Sequence, residues 1–352
     1  MRLSYNSANV LITGGLGFVG SNLALRLVEN GARVTVVDDL LPGCGGNLFN
    51  IEPAKDRIQV LRTDIGEAGP LREAIASADL IFNLAGEISH IHSMQFPERD
   101  LQVNTIAQLR FLLACRELNR GVRIVYAGTR QVYGVPKYLP VDEGHPIAPV
   151  DFNGVHKYAA TMYHLMMTRV GDLDAIVLRL TNVYGPRMAL NVSCQGFLST
   201  FLRRLMLGEP LEIFGDGKQL RDPVFVDDAV DAFIAAGLAA RPPERSYNVG
   251  GRAPLALAEI ARTASAAAGL PEPVFREFPA EREAIDIGSY YTDNRRIERD
   301  LGWKAKVDFS EGIARTLEYF RAHLDQYIHP NEPPCKLPEH SGAPRRLTYI
   351  EV

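Results

Sequence analysis

Short runs of β-branched and aliphatic residues alternate with amphipathic stretches through the first half of the chain. The runs 10–13, 33–37, 58–61, 80–84, 124–126 and 175–180 have the length and composition of buried strands. Between them, apolar residues recur at three- and four-residue spacing over 21–29, 71–76, 104–118 and 153–170, which predicts helices packed on one face. Strands separated by helices, repeated in this way, predict an α/β protein with a doubly wound parallel sheet.

After about Thr181 the rhythm changes. Pro186, Pro210, Pro223, Pro242, Pro243, Pro271 and Pro273 break the chain into shorter elements. Helices are expected over 196–207, 227–239, 257–268 and 310–323, and strands over 221–226 and 246–249 that return toward the first region. The expected division is therefore discontinuous: 1–181 with a return segment near 221–250 as a dinucleotide-binding unit, 182–220 and 251–329 as a smaller α/β substrate-binding unit, and 330–352 as a proline-rich tail.

Composition narrows the function classes. Of 352 residues, 46% are hydrophobic and 23% charged, as in a folded globular chain rather than a disordered or fibrous one. The formal net charge of −4 argues against a nucleic acid or an anionic membrane as partner, so an anionic ligand has to be held by local chemistry. Four dispersed cysteines (Cys44, Cys115, Cys194 and Cys335) form neither a disulfide framework nor a metal-ligand pattern. With no apolar run near the ~20 residues of a membrane span, a cytoplasmic protein is expected.

The strongest chemical signal is Thr13-Gly14-Gly15-Leu16-Gly17-Phe18-Val19-Gly20, placed after the first strand and at the start of the first helix. Gly14 permits a tight turn, Gly17 lets backbone approach a pyrophosphate and Gly20 lets the helix pack on the sheet, while Phe18 and Val19 open a helix whose first amides meet the anion. Asp38 ends the second strand at the roughly twenty-residue offset of an acid that accepts hydrogen bonds from an adenosine ribose, which favours NAD over NADP. Asp64, followed by Ile65 after the third strand, is an adenine-side candidate.

Further motifs follow in order: Asn83-Leu84-Ala85-Gly86, Asn104 at the head of a helix, Ala127-Gly128-Thr129-Arg130-Gln131-Val132-Tyr133-Gly134, and Leu178-Arg179-Leu180-Thr181-Asn182-Val183-Tyr184-Gly185-Pro186-Arg187. From about Val10 to Tyr319 the chain resembles the extended short-chain dehydrogenase/reductases, the NAD-dependent nucleotide-sugar epimerases and dehydratases with a Rossmann-type fold. The resemblance implies cofactor contacts from Leu84, Ala85, Gly86, Asn104 and Lys157, and contacts to the sugar-nucleotide diphosphate from Asn182, Arg221 and Arg282. It also implies a homodimer built on the helices 104–118 and 153–170, where Leu109, Leu112, Leu113, Tyr163, Leu165 and Met166 exceed the needs of one buried stripe.

Such enzymes oxidise a sugar hydroxyl with a Ser or Thr, a Tyr and a Lys. Thr129 matches the first member and Lys157 the last, but the position four before the Lys is Asn153, whose amide is no base. Glu87, His90, His92 and Tyr133 stand as substitutes, Glu87 first, with His90 also placed for sugar contact. Arg130 and Gln131 follow Thr129 where dehydratases of this type carry an acid–base pair, so epimerisation, most simply at C4, is favoured over dehydration or another oxidoreduction. A non-catalytic NAD-binding sensor is the reading from a different class.

Overall fold

The computed structural model describes residues 4–191, 196–277 and 286–328. Seven parallel strands form the central sheet: β1 (Asn9–Thr13), β2 (Arg33–Val37), β3 (Ile58–Leu61), β4 (Leu80–Asn83), β5 (Arg123–Thr129), β6 (Asp174–Leu180) and β7 (Ser246–Val249). Their order is β3-β2-β1-β4-β5-β6-β7, so the winding reverses between β1 and β4, where Thr13 stands opposite Asn83. In open α/β sheets that reversal leaves a crevice beyond the carboxyl ends of the strands.

Alternation along each strand divides the core between the two faces. Ile12, Val36 and Phe82 point to one side, against Leu23 and Leu27 of α1 (Phe18–Glu29) and Phe233 of α8 (Val226–Leu238). Leu11, Val37 and Ile81 point to the other, against α2 (Ala68–Ser77) and α5 (Ala107–Leu118), with Met167 of α6 (Phe152–Arg169) beside them. Because both faces are covered, the strands read as continuous apolar runs rather than as alternating ones.

Two features before α5 were not legible from periodicity. The loop after β4 holds a short helix, α3 (His90–Gln95), and the segment from α4 (Pro97–Leu101) to α5 is helical throughout, with a π-helical turn over Gln102–Ile106. The helix expected from Asn104 thus begins at Pro97, and Asn104 sits inside the irregular turn. Beyond β6, α7 (Phe197–Met206) and α9 (Leu257–Ala268) pack with the helix Phe309–His323, and small strand pairs join Glu212–Phe214 to Val274–Arg276 and Leu220–Arg221 to Leu255–Ala256. Among the described residues no helix is long and apolar enough to cross a membrane.

Candidate functional site

A single cleft runs across the carboxyl ends of β1, β2, β4, β5 and β6, from Asp38 and Asp64 at one end to Asn182 and Phe197 at the other. Its floor is the glycine loop. Gly14 turns with φ +66°, and a Cβ there would lie 2.8 Å from the Ala85 amide, so the loop rests on the chain leaving β4. A Cβ on Gly20 would come within 2.2 Å of the Gly14 carbonyl oxygen. This glycine therefore lets the helix sit on its own loop, not on the sheet as the sequence suggested. Gly17 is different: a Cβ would meet only the Gly14 oxygen, at 3.2 Å, and otherwise enter open space. It is the N-cap of α1, no side chain caps that helix, and Phe18, Val19 and Gly20 line the cleft. Uncapped first-turn amides beside a bare glycine fit the diphosphate of a dinucleotide.

Asp38 lines the cleft with its two oxygens accepting from the Leu16 and Leu40 amides at 3.0 and 2.9 Å. Burial raises its carboxyl above the ordinary value, and these backbone hydrogen bonds oppose the rise. Each oxygen keeps a lone pair for a ribose hydroxyl. Asp64, Ile65, Leu84, Ala85 and Gly86 line the cleft as well. The winding reversal is locked by Thr13, whose hydroxyl donates to Asn83 Oδ1 at 2.7 Å and accepts from the Leu84 and Ala85 amides. Asn104 does not reach the cleft. It is fully buried, and its amide clamps the Glu87 backbone through Nδ2 to the carbonyl at 3.0 Å and Oδ1 to the N–H at 3.1 Å.

At the centre of the cleft stand Thr129, Lys157 and Asn153. Thr129 ends β5, its Oγ1 accepting from the Gln131 amide at 3.2 Å. Lys157 is buried on α6, and its ammonium is pulled down to about 8 by burial, with the Asp100 carboxylate opposing. Bare Gly86 makes room for it, since a Cβ there would lie 2.6 Å from Nζ. Asn153, one turn earlier, donates through Nδ2 to the Glu87 carbonyl and to Asp100, both at 2.8 Å, while its buried Oδ1 has no partner.

Three of the four substitute bases lie outside the cleft. Glu87, the first choice from sequence, is buried with Oε1 2.5 Å from His92 Nδ1 and Oε2 3.4 Å from Arg99 Nε. The turn after Gly86 aims its carboxylate into that cluster, so Glu87 and His92 pair with each other away from the lining. Tyr133 is buried too, donating to Asn248 Oδ1 and accepting from Arg179, each at 2.6 Å, and burial raises its phenol. Only His90 lines the cleft. Its Nδ1 meets Asp151 and its Nε2 lies 2.5 Å from Gln131 Nε2. Asp151 was missed from sequence. The visible signal was an N-cap acid before α6, and Oδ1 indeed accepts from the Gly154 amide at 2.7 Å.

On the sugar side, Asn182 lines the cleft with a buried Oδ1 that has no partner, and Arg130 lies with its guanidinium 4.9 Å from the Tyr290 ring centroid. Arg221 stands apart from the lining, donating to the Leu220 and Gly288 carbonyls at 2.8 and 2.5 Å and lying 3.6 Å from Asp286; burial foremost, then Arg130, pulls its guanidinium down to about 10. Arg282 lies outside the described residues.

Comparison with known proteins shows the family. The model of the NAD dependent epimerase/dehydratase family matches residues 10–250. The chain is 36% identical over 316 residues to a UDP-glucose 4-epimerase of Mycolicibacterium smegmatis, covering 88% of this chain and 98% of that one. It is 29% identical over 323 residues to a dTDP-glucose 4,6-dehydratase of Actinoplanes sp., covering 89% and 98%. Among solved structures, a UDP-glucose 4-epimerase of Thermotoga maritima with UDP-glucose superposes with a TM-score of 0.80 at 30% identity, covering 90% of this chain and 99% of that one. A UDP-glucose 4-epimerase of Thermus thermophilus in complex with NAD superposes with a TM-score of 0.78 at 28% identity, covering 89% and 99%.

Proposed function

Since this chain belongs to the NAD dependent epimerase/dehydratase family, we propose that it inverts one stereocentre, C4, of a nucleotide-diphosphate sugar through a transient keto sugar. Its cofactor is NAD. The observation that carries epimerisation over dehydration is the distribution of acids. Among the described residues, the carboxylates that line the cleft are Asp38, Asp39 and Asp64, all at the end expected to take adenosine. Beside Thr129 stand Arg130 and Gln131, so among the described residues the sugar end offers no carboxylic acid and carboxylate to remove water.

Bound NAD supplies a reversible hydride acceptor. The protein's own residues do the rest. Gly17 and the first turn of α1 receive the diphosphate, Asp38 receives the adenosine ribose, and Lys157 Nζ holds the nicotinamide ribose while its charge favours loss of a hydroxyl proton. Thr129 Oγ1 and the free Asn153 Oδ1 orient the sugar hydroxyl. Asn182 takes the nucleotide diphosphate through its side-chain amide, with Arg221 and Arg282 as its supporting cations. We also assign the division of the chain near Thr181 to cofactor and sugar-nucleotide binding, and a homodimer through α5 and α6.

The test is incubation of the NAD-loaded protein with UDP-, dTDP-, GDP- and CDP-hexoses in D2O, followed by proton NMR. Epimerisation gives the C4 epimer with protium retained at C4 and no deuterium at C5. A 4-keto-6-deoxy product carrying solvent deuterium would replace this reading with dehydration.

A further inference from the structure

We propose that His90 and Asp151 form the proton-transfer pair of this cleft, with His90 Nε2 as the base in the absence of a Tyr at position 153. The proposal rests on the epimerase reading and names the group that reading lacks.

Asp151 is fixed on two sides. Its side chain is 2% exposed; Oδ1 accepts from the Gly154 amide at 2.7 Å as the cap of α6, and Oδ2 meets His90 Nδ1. Burial pushes the carboxyl up, yet the His90 contact, the Gly154 amide and the Arg130 charge outweigh burial and hold it below its ordinary value. A carboxylate so held accepts a proton bond from Nδ1–H, which leaves the lone pair of the neutral imidazole on Nε2.

Gln131 supports the same assignment. Its Nε2 lies 2.5 Å from His90 Nε2, where an amide N–H can donate to the unprotonated ring nitrogen that the Asp151 contact at Nδ1 leaves. Its Oε1 is buried and has no partner. Rotation of the amide would present that oxygen to Nε2–H once the ring has taken a proton, so Gln131 can serve both states. The imidazole is about one-third exposed, on the cleft that Thr129, Asn153 and Lys157 also line.

The other charges around the ring are accounted for. Arg130 acts on Asp151, Lys157 faces the cleft from α6, Glu87 is shared by His92 and Arg99, and Asp100 is held by His156 and Asn153. None competes with Asp151 for Nδ1. In the oxidative half-reaction the C4 hydroxyl displaces the Gln131 amide from His90 Nε2 and gives its proton to that nitrogen while the C4–H bond breaks and its hydride passes to NAD, leaving a C4 ketone, an imidazolium and reduced cofactor. The return step restores the hydride to the opposite face of the ketone and the proton from Nε2 to its oxygen. Asp151 touches no reacting atom; it is a positioning residue.

The experiment has two arms on the NAD-loaded protein. In the kinetic arm, His90→Gln is expected to lower turnover by about 10²–10⁴-fold with NAD affinity unchanged, and imidazole added to His90→Ala is expected to restore part of the rate. Asp151→Asn, which keeps an oxygen for the Gly154 cap, is expected to lower kcat about tenfold or more and to move the acidic limb of the pH profile to lower pH. In the second arm, nitrogen-15 NMR of the native protein near pH 7.5 is expected to show His90 as the Nδ1–H tautomer, with that preference lost in Asp151→Asn. Native protein that turns over alongside an equally active His90→Gln overturns the pair, and so does an Nε2–H tautomer. Native protein that reduces its NAD with no nucleotide sugar overturns the function instead, while the NMR arm still decides whether Asp151 holds Nδ1.

Discussion

Asn153 illustrates how one residue sets the chemistry of its surroundings, placing an amide where the resemblance implies a phenol. Its Nδ2 ties the Glu87 carbonyl to Asp100, and its Oδ1 is left for a ligand. His164, three turns further along α6, shows the cost of burying an ionisable ring. It is fully buried, donates from Nδ1 to the Ala160 carbonyl at 2.8 Å, lies with Nε2 3.1 Å from Asn83 Nδ2, and stacks on Tyr126 at 4.2 Å. Burial pulls its pKa from 6.5 down to about 4, with the Lys157 charge adding to the shift. The unfolded chain therefore binds this proton below pH 6.5 while the folded chain refuses it until about pH 4. The stability owed to the neutral ring is present above pH 6.5 and is lost as pH falls toward 4, by about 3 kcal/mol. Urea unfolding at pH 7 and pH 4 is expected to show that much more acid sensitivity in the native protein than in His164→Gln. Equal slopes in the two proteins would refute the assignment.

At the scale of elements, the decisive piece is the π-helical turn Gln102–Ile106. One extra residue in the turn re-aims a side chain, a device that recurs at functional sites. Here it buries Asn104 against the loop after β4, where the amide satisfies both the N–H and the carbonyl of Glu87. That clamp sets Gly86 against Lys157 and starts the path to His90. Asn104→Ala leaves the buried Glu87 N–H unsatisfied, while the Glu87 carbonyl keeps only its bond from Asn153 Nδ2, so a loss of about 1–3 kcal/mol is expected from the shift in urea midpoint, together with weaker NAD binding by calorimetry. A variant that lost stability but bound NAD as tightly as the native protein would show that the clamp serves the fold alone.

At the scale of the whole molecule, the outer face of α5 and α6 carries exposed apolar residues that the core leaves uncovered. Leu112 is fully buried and Leu109, Tyr163 and Leu165 are partly covered, so they belong mainly to the monomer's own packing. Leu113 and Met166 are exposed, and Phe152, Val155 and Met162 extend the same apolar surface along α6. In the proposed homodimer these two helices would pair with their symmetry mates at a two-fold axis. Light scattering at micromolar concentration is expected to give twice the chain mass, and Met162→Arg with Met166→Arg is expected to give the monomer. A native monomer would remove the dimer from the description.

Periodicity and glycine placement were enough to predict the strands of the central sheet, the order of βα units and the glycine loop, because each depends on residues close together in the chain; the strand expected over 221–226 is instead split into Leu220–Arg221 and Val224–Phe225, which pair outside that sheet with Leu255–Ala256 and Val183–Tyr184. The helix 257–268 and the strand 33–37 agree to the residue. The fate of the substitute bases was decided by tertiary structure alone. Glu87 and His90 are three residues apart, yet the turn after Gly86 carries one into the His92–Arg99 cluster and the other to Asp151, 61 residues further along the chain. No local pattern encodes which buried acid meets which ring, since that pairing follows from how α3 packs against the start of α6 beyond the ends of the sheet.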